Sequence, residues 1–245
     1  MQIFKNKKAI IVVVVLLIAV LGIFFLVRGR GESADDESNL RQLSLSERPF
    51  TTLAPKEDGR WLKLKIENIN VSEAKSIEYL LEYKVPDGAT QGVPGTVLLD
   101  GKSSIERDLL LGSESAGKFR YDEGVTQGTI SLKFRNDKGK TIAKLSTDFH
   151  LQKDAVNLNA VDGKFVYKLK EEPEKVYFVT MSTFGLPKTI DGVKSGPYGV
   201  FPSKTGPYPG KVEIADELKM FNGSEWKSEN KENVPDVGIF VGVGQ

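Results

Sequence analysis

Residues 77–85 read IEYLLEYKV, a run in which apolar and charged side chains alternate. The odd-numbered positions hold isoleucine, tyrosine, leucine, tyrosine and valine, whereas glutamate and lysine occupy most of the even-numbered ones. Because successive side chains of a strand point to opposite sides, this pattern predicts a β-strand with one buried face and one exposed face.

The same alternation recurs on both sides of this run. We predict further strands at residues 61–69, 97–99, 105–111, 130–135 and 141–152. Their inward side chains are expected to include Leu62, Leu64, Ile66, Ile130, Leu132, Phe134, Leu145, Phe149 and Leu151. Turn sequences at 86–88 and 136–139 separate the strands, and Asp100-Gly101 predicts a hairpin between the strands on either side of it.

The spacing of these strands indicates their architecture. About seven or eight strands fall within residues 49–153, with turn signals about every 8–12 residues, as is typical of an immunoglobulin-like antiparallel β-sandwich. We therefore expect residues 49–153 to form such a domain. The paired cysteines of antibody domains are absent, so the expected likeness is one of architecture alone.

A second, small β-rich domain is predicted for residues 154–245. Its candidate strands are residues 164–170, 175–181, 211–214, 218–221 and 237–241. Asn222-Gly223 favours a two-residue hairpin after the fourth of these strands. Residues 195–210 read SGPYGVFPSKTGPYPG, and their prolines and glycines predict a long loop.

Residues 9–27 read AIIVVVVLLIAVLGIFFLV and contain no charged side chain. As a helix this run would be about 28 Å long, which matches the hydrocarbon core of a bilayer. We therefore predict an N-terminal transmembrane helix that serves as an uncleaved signal anchor. A cleaved signal peptide is the alternative.

Basic residues on either side of this helix give its predicted orientation. Three lysines precede it, and Arg28 and Arg30 follow it. We expect residues 1–8 to form a cytoplasmic stub and the C-terminal domains to be extracytoplasmic, in the cell envelope. Residues 28–48 are rich in serine and acidic side chains and are expected to form a polar flexible stalk.

The composition excludes several classes of function. The net charge is +1, and five of the 34 basic residues lie in the first thirty positions, so we expect no nucleic-acid partner. The chain has no cysteine and a single histidine, which removes most metal centres and most nucleophilic active sites. We expect no cofactor and no bound metal.

Several segments resemble one group of proteins. RPFTTLAPKEDG at 48–59, the long segment at 92–137 and TDFHLQ at 147–152 resemble uncharacterised single-pass, membrane-anchored envelope proteins of small-genome uncultivated bacteria. FGLPKTIDGVKSGPYGVFPS at 184–203 is similar to their C-terminal segment. The resemblance covers most of residues 49–226 and implies a bacterial envelope protein. It implies no known activity, so no site residue is carried over from it.

Four aromatic residues of the second domain form the candidate ligand-binding site, namely Tyr198, Phe201, Tyr208 and Trp226. Flat exposed rings can stack on a sugar or a peptide, and the neighbouring prolines would hold such a loop in place. In the alternative interpretation the same rings cover the core of a small domain. If the protein binds a cell-surface glycan or protein, we expect the site here.

Other chemistry-bearing residues are less suited to a site. His150 falls on the outward face of its predicted strand, where an exposed side chain is expected. The acids in Asp122-Glu123 and in Asp216-Glu217 are adjacent, so the two side chains of each pair would point to opposite sides of a strand. A glycosidase needs two facing acids, and no catalytic residue is assigned.

The sequence therefore favours a membrane-anchored extracytoplasmic protein whose β-domains serve a binding, adhesive or scaffolding role rather than an enzymatic one. Its expected partners are the bilayer, through residues 9–27, and a ligand of the cell surface. The alternative is a membrane-tethered hydrolase that acts on wall or surface glycan through carboxylates.

We predict that the mature protein keeps its anchor, because the apolar run is long and arginines follow it directly. N-terminal sequencing of protein extracted from membranes should therefore read from the start of the chain. A mature chain that begins near Ser33 or Ala34 would instead identify a cleaved signal peptide.

Overall fold

The computed structural model describes residues 40–244 and confirms that this part of the chain is mostly β. Strands, turns and irregular segments make up these residues, and they include no helix. The strands are β1 (Phe50–Pro55), β2 (Trp61–Glu67), β3 (Ser76–Lys84), β4 (Thr90–Leu98), β5 (Ile105–Leu110), β6 (Gly112–Ser115), β7 (Lys118–Tyr121), β8 (Gln127–Arg135), β9 (Thr141–Lys153), β10 (Asn157–Asn159), β11 (Val166–Leu169), β12 (Tyr177–Ser182), β13 (Val193–Pro202), β14 (Gly210–Glu213), β15 (Glu217–Phe221), β16 (Trp226–Ser228) and β17 (Ile239–Val243).

Nine strands form one large antiparallel sheet, in the order β16-β15-β17-β13-β12-β9-β8-β3-β4. Two three-stranded antiparallel sheets, β1-β2-β5 and β10-β11-β14, lie beside it. Strands β6 and β7 form a separate hairpin.

The run at residues 77–85 forms most of β3, between β4 and β8 in the large sheet. Ile77, Leu81 and Tyr83 are buried, whereas Glu82 and Lys84 on the other side are exposed, as predicted. The buried side chains belong to a hydrophobic cluster that also contains inward residues of β8, β9 and the sheet β1-β2-β5. That small sheet therefore packs on β3, β8 and β9 in a sandwich-like arrangement.

A second hydrophobic cluster lies in the other half of the molecule. It joins Leu158 and Tyr167 of the sheet β10-β11-β14 to Phe178, Val200 and Phe240 of the large sheet. Tyr167, Phe178 and Phe240 are 0% exposed. The second small sheet therefore packs on β12, β13 and β17.

Strand β12 contributes side chains to both clusters. Val179 and Met181 lie in the first cluster, whereas Phe178 lies in the second. Because alternate side chains of a strand point to opposite faces, the two small sheets cover opposite faces of the large one. The predicted boundary at residue 154 lies near the change from one cluster to the other, but the sheet continues across it, since β9 pairs with β12.

The hairpin predicted at Asp100-Gly101 is wrong. The turn forms, with positive φ at both residues and a hydrogen bond donated by Lys102 N to Leu99 O. However, β4 pairs with β3 whereas β5 pairs with β2, so the chain crosses from one sheet to the other. The turn sequence sets the local direction of the chain, while burial of Ile105 in the first cluster decides where β5 pairs.

The long loop predicted for residues 195–210 is wrong in its first half. Strand β13 includes residues up to Pro202 and lies inside the large sheet, between β12 and β17. Its pairing with β17 is irregular, with register shifts on both sides of Ser195. Such irregular positions tolerate a proline, which has no N–H to donate to a regular ladder.

Two other predicted turns form, and the second is longer than predicted. Asn136 begins the turn that joins β8 to β9, and Asn222 begins the hairpin of β15 and β16. The second loop has four residues rather than two, because Phe221 pairs with Trp226. The Asn222 side-chain oxygen accepts hydrogen bonds from the backbone N–H groups of Ser224 and Glu225, which stabilises this longer loop.

The predicted transmembrane helix at residues 9–27 lies outside the described residues. Within residues 40–244 no helix is long and apolar enough to cross a membrane. The end of the predicted stalk is described, and it is packed against the body: Leu43 is buried in the first cluster, and Arg41 N donates a hydrogen bond to Ile142 O.

We predict that the two halves unfold in a single transition, because one sheet runs through both. Trp61 lies in the first half and Trp226 in the second, and the chain has no other tryptophan. In each of the variants Trp61→Phe and Trp226→Phe, the fluorescence and circular dichroism curves in urea should coincide. Adding Leu132→Ala, a fully buried residue of the first cluster, should lower the midpoint in both variants, at a cost of about 2–5 kcal/mol. If Leu132→Ala lowers the midpoint only in the Trp226→Phe variant, whose fluorescence comes from Trp61, the two halves unfold separately.

Candidate functional site

The outer face of β3, β8 and β9 is open where the sheet β10-β11-β14 does not reach. Strand β10 covers only the end of this face. There His150 Nδ1 is 2.7 Å from Asn159 O, and Gln152 Nε2 donates to Asn157 O at 2.7 Å. His150 is therefore half-buried under β10, rather than exposed as its outward position predicted. Because β10 lies on top of only one end of this face, the uncovered part of the face is lower than β10 and forms a recess beside it.

Two adjoining cavities of about 310 and 320 Å³ occupy this recess, which we call the groove. Both cavities are lined by Asp148 and Val161. Glu82 and Thr129 line the first, and Ser182 is among the residues that line the second. The floor is thus the open face of the large sheet, and one wall is the segment between β10 and β11.

A row of polar side chains crosses the floor of the groove. Glu82 of β3 pairs with Thr129 of β8, which in turn pairs with Asp148 of β9. The Thr129 hydroxyl donates a hydrogen bond to Asp148 Oδ1 at 2.6 Å. Since neighbouring strands are about 4.8 Å apart, the backbones of Glu82 and Asp148 are roughly 10 Å apart.

The next row along the sheet continues this polar lining. The hydroxyl oxygens of Ser131 and Ser146 lie 3.0 Å apart across the strands β8 and β9. Gly128, also on the lining, allows close packing below the floor, because a Cβ there would lie 2.3 Å from Glu82 O and 2.8 Å from the Phe149 ring. Hydroxyl and carboxylate oxygens therefore line this part of the floor, and Lys84 and Gln127 also line the first cavity.

A hydrogen bond from β13 helps to hold the wall of the groove to the large sheet. The Tyr198 hydroxyl of β13 donates to Asp162 Oδ2 at 2.7 Å, and Lys164 N donates to Asp162 Oδ1 at 3.0 Å. The Tyr198 ring is 4% exposed and stacks on Phe165, with ring centroids 5.0 Å apart. Val161, which directly precedes Asp162, is 39% exposed and adds an apolar contact to the lining.

Burial raises the pKa of Tyr198 above its ordinary value, and the hydrogen bond to Asp162 raises it further. The ring of Tyr83 lies on the opposite face of β3, in the first cluster, where burial and its hydrogen bond to Asp122 Oδ2 raise its pKa too. Both phenols therefore remain neutral hydrogen-bond donors at physiological pH, and Tyr198 acts as a fixed support of the groove.

The four aromatic residues predicted as a binding site do not share one surface. Tyr198 and Phe201 lie on opposite faces of β13: the first is in the second cluster, and the second packs against the first cluster. Tyr208 packs edge-on against Phe178 at 5.2 Å in the second cluster, as in the core-covering alternative. Trp226 lies on β16, where its Nε1 donates to Lys188 O at 2.8 Å. Only Tyr198 borders the groove.

The acidic pairs considered in the sequence are also outside the groove. Asp122 accepts the Tyr83 hydroxyl, Asp216 accepts the Ser195 hydroxyl at 3.2 Å, and Glu217 pairs with Lys219 at 2.6 Å. Among the described residues no group of three or more His, Cys, Asp or Glu side chains is placed to hold a metal ion. No local sequence pattern marks Glu82, Thr129 and Asp148 as a set, because only sheet register makes them neighbours.

No family model, curated protein or solved structure matches this chain. The chemistry of the groove therefore rests on its own geometry. Carboxylate oxygens accept hydrogen bonds, and the neighbouring hydroxyls both donate and accept them. This arrangement suits reversible binding of a ligand that carries many hydrogen-bonding groups.

We predict that the buried tyrosines ionise at a higher pH in the folded protein than in the unfolded chain. The folded pKa of Tyr83, Tyr167, Tyr198 and Tyr208 lies above the unfolded value, chiefly because of burial. Their contribution to stability is therefore complete below about pH 10 and is lost as the pH rises through the folded pKa. Ultraviolet absorbance should show fewer ionised tyrosines in the native protein than in the urea-unfolded protein at the same alkaline pH. Superimposable titration curves would contradict the burial of these rings.

Proposed function

We propose that this chain is a membrane-anchored, extracytoplasmic binding protein of the cell envelope, and that the groove is its ligand site. The apolar run at residues 9–27 and the resemblance to membrane-anchored envelope proteins support the location. The groove supports the binding role, because it is a recess of defined shape on an otherwise open sheet face.

The architecture that we propose for residues 49–153 is an immunoglobulin-like sandwich. One layer is β1-β2-β5, corresponding to strands A, B and E, and the other is β4-β3-β8-β9, corresponding to C′, C, F and G. The hairpin β6-β7 is then an insertion between E and F. Residues 154–245 form a second β-domain that continues the same large sheet.

The ligand class that we propose is a glycan of the cell surface. Sugar hydroxyls are both donors and acceptors, so they can bond to the Asp148 carboxylate and to the hydroxyls of Thr129 and Ser146. The apolar C–H groups of a sugar ring can contact Val161. The observation that carries this proposal is the row Glu82, Thr129 and Asp148 across the groove floor.

A second candidate function, glycoside hydrolysis, is favoured by the two carboxylates of the same row. Glu82 and Asp148 lie two strands apart, and inverting glycosidases hold their catalytic carboxyls about 6.5–9.5 Å apart, with room for a water molecule between them. Backbones roughly 10 Å apart are compatible with that separation. Both functions use the same groove, and product formation distinguishes them.

We predict that Asp148→Asn and Thr129→Ala each weaken glycan binding about tenfold, since hydrogen bonds to a charged group are worth about 1.5–3 kcal/mol. The full-length protein in detergent would be tested by biolayer interferometry against immobilised chitooligosaccharides, β-glucan and galactan. Glu106→Gln is the matched control, because Glu106 is an exposed carboxylate on β5, in the small sheet away from the groove, where it pairs with Lys63. Equal affinities of wild type, groove variants and control would contradict the proposed site.

The alternative function, glycoside hydrolysis, is tested by a separate measurement, the release of new reducing ends. Release of new reducing ends from the same glycans should be absent if the groove only binds. Release by the wild type that both Glu82→Gln and Asp148→Asn abolish, while Glu106→Gln retains it, would replace the binding role with hydrolysis.

A further inference from the structure

A further cavity, which we call the end cavity, lies at the end of β3 away from the groove. Its volume is about 360 Å³, within the range of small-molecule sites. Two connecting segments form it, residues 69–75 between β2 and β3 and residues 99–103 between β4 and β5. Glu82 of the groove lies seven residues along the chain from Lys75 of the end cavity, so at about 3.3 Å per residue the two sites are roughly 23 Å apart.

Backbone hydrogen bonds fix the shape of the end cavity. Ile69 N donates to Ser103 O at 3.0 Å, which joins the two segments at one point. Leu99 N donates to Lys75 O at 2.9 Å and joins them at another, and Lys75 N donates to Arg135 O of β8 at 2.7 Å. Because both segments are held on the folded body, a ligand that binds here orders little additional chain.

The base of the end cavity is apolar. Val71 and Leu99 are each 7% exposed and belong to the first cluster, and Ile69 and Ala74 pack against that cluster. Covering apolar surface of this kind with another apolar group is favourable. The end cavity therefore suits a ligand with a small aliphatic group.

The rim of the end cavity carries charges of both signs. Lys75, Asp100 and Lys102 line it, and all three residues are exposed. Among residues 40–244 none of the three forms an ion pair, and the Lys102 ammonium makes a long hydrogen bond, 3.5 Å, to Leu98 O. A positive and a negative charge are therefore both available to a ligand.

We infer that the end cavity binds an aliphatic α-amino acid. The carboxylate of such a molecule complements Lys75 and Lys102, its ammonium group complements Asp100, and its side chain contacts the apolar base. Asp100 and Lys102 lie two residues apart in one turn, and an α-amino acid carries its two charged groups on a single carbon, so one ligand can reach both side chains.

Two other ligand classes fit the end cavity less well. An inorganic anion would be repelled by Asp100 and would leave the apolar base uncovered. A metal ion would meet one carboxylate in the lining, that of Asp100, whereas calcium takes six to eight oxygen ligands.

The test measures binding of radiolabelled L-leucine to the full-length protein in nanodiscs of neutral lipid, by equilibrium dialysis. Three unlabelled competitors each lack one part of leucine: glycine lacks the aliphatic side chain, 4-methylpentanoate the ammonium group and 3-methylbutylamine the carboxylate. We expect each to compete at least about tenfold more weakly than unlabelled leucine, because each loses one of the three contacts.

Asp100→Asn and Lys102→Gln should each weaken leucine binding at least about fivefold. Asparagine tolerates the φ of 43° at position 100, so this substitution removes the charge and keeps the turn. Asp87→Asn and Lys118→Gln are the matched controls. Both residues are exposed, and Asp87 is likewise a turn residue but lies at the other end of β3.

Each outcome bears on the end cavity alone. Leucine binding that Asp148→Asn retains supports a site distinct from the groove, whether or not the groove binds glycan. No leucine binding by the wild type, competition by any of the three competitors as strong as that of leucine, or equal affinities of the cavity variants and their controls would each overturn the inference. The competitors are compared on the wild type, so that comparison decides the question even if a variant fails to fold.

Discussion

Strand β12 has to pack against two hydrophobic cores at once, and the rest of the fold depends on this constraint. Val179 and Met181 complete the core under the sheet β1-β2-β5, and Phe178 completes the core under the sheet β10-β11-β14. A strand that is buried on both faces needs apolar residues on both, which is why residues 177–181 read YFVTM without clear alternation. The pairing of β9 with β12 then places both cores on one sheet.

The groove is a consequence of that arrangement. Because the two small sheets cover opposite faces, each half of the large sheet has one face that the small sheets leave open. The open face of β3, β8 and β9 contacts water, so its side chains are polar, as Thr129, Ser131 and Asp148 are. Where β10 begins to cover this face, the segment after β10 forms a wall beside the uncovered part of the sheet. The hydrogen bond between Tyr198 and Asp162 holds this wall in position.

The strands of the first half were predictable because each buries a single face. In β8, for example, Leu132 is 0% exposed, whereas the flanking Ser131 and Lys133 on the other face are half-buried. Pairing partners were not predictable from local signals: Asp100-Gly101 makes the expected turn, but the energy that selects the partner of β5 comes from a distant core. Strand β13 was missed because its prolines and glycines are typical of loops, and they fit a strand only through an irregular pairing with β17.

The four aromatic residues predicted as a site do not share one surface, for a related physical reason. Once β13 is a strand, Tyr198 and Phe201 must point to opposite faces, so the two rings cannot form one platform. The groove residues Glu82, Thr129 and Asp148 lie in three separate strands, and the opposite wall comes from the other half of the chain. Only register and packing bring such residues together, and neither is encoded in a local pattern.

The pairing of β9 with β12 also has a mechanical consequence. The hydrogen bonds of an antiparallel pair run perpendicular to the strands, so a pull along the strand direction loads them all in shear at the same time. The five residue pairs from Phe149–Met181 to Lys153–Tyr177 would have to yield together before the halves could slide apart. With a shared sheet in place of a linker, the junction is a stiff joint rather than a hinge, and tension applied at one half is transmitted to the other with little change in angle.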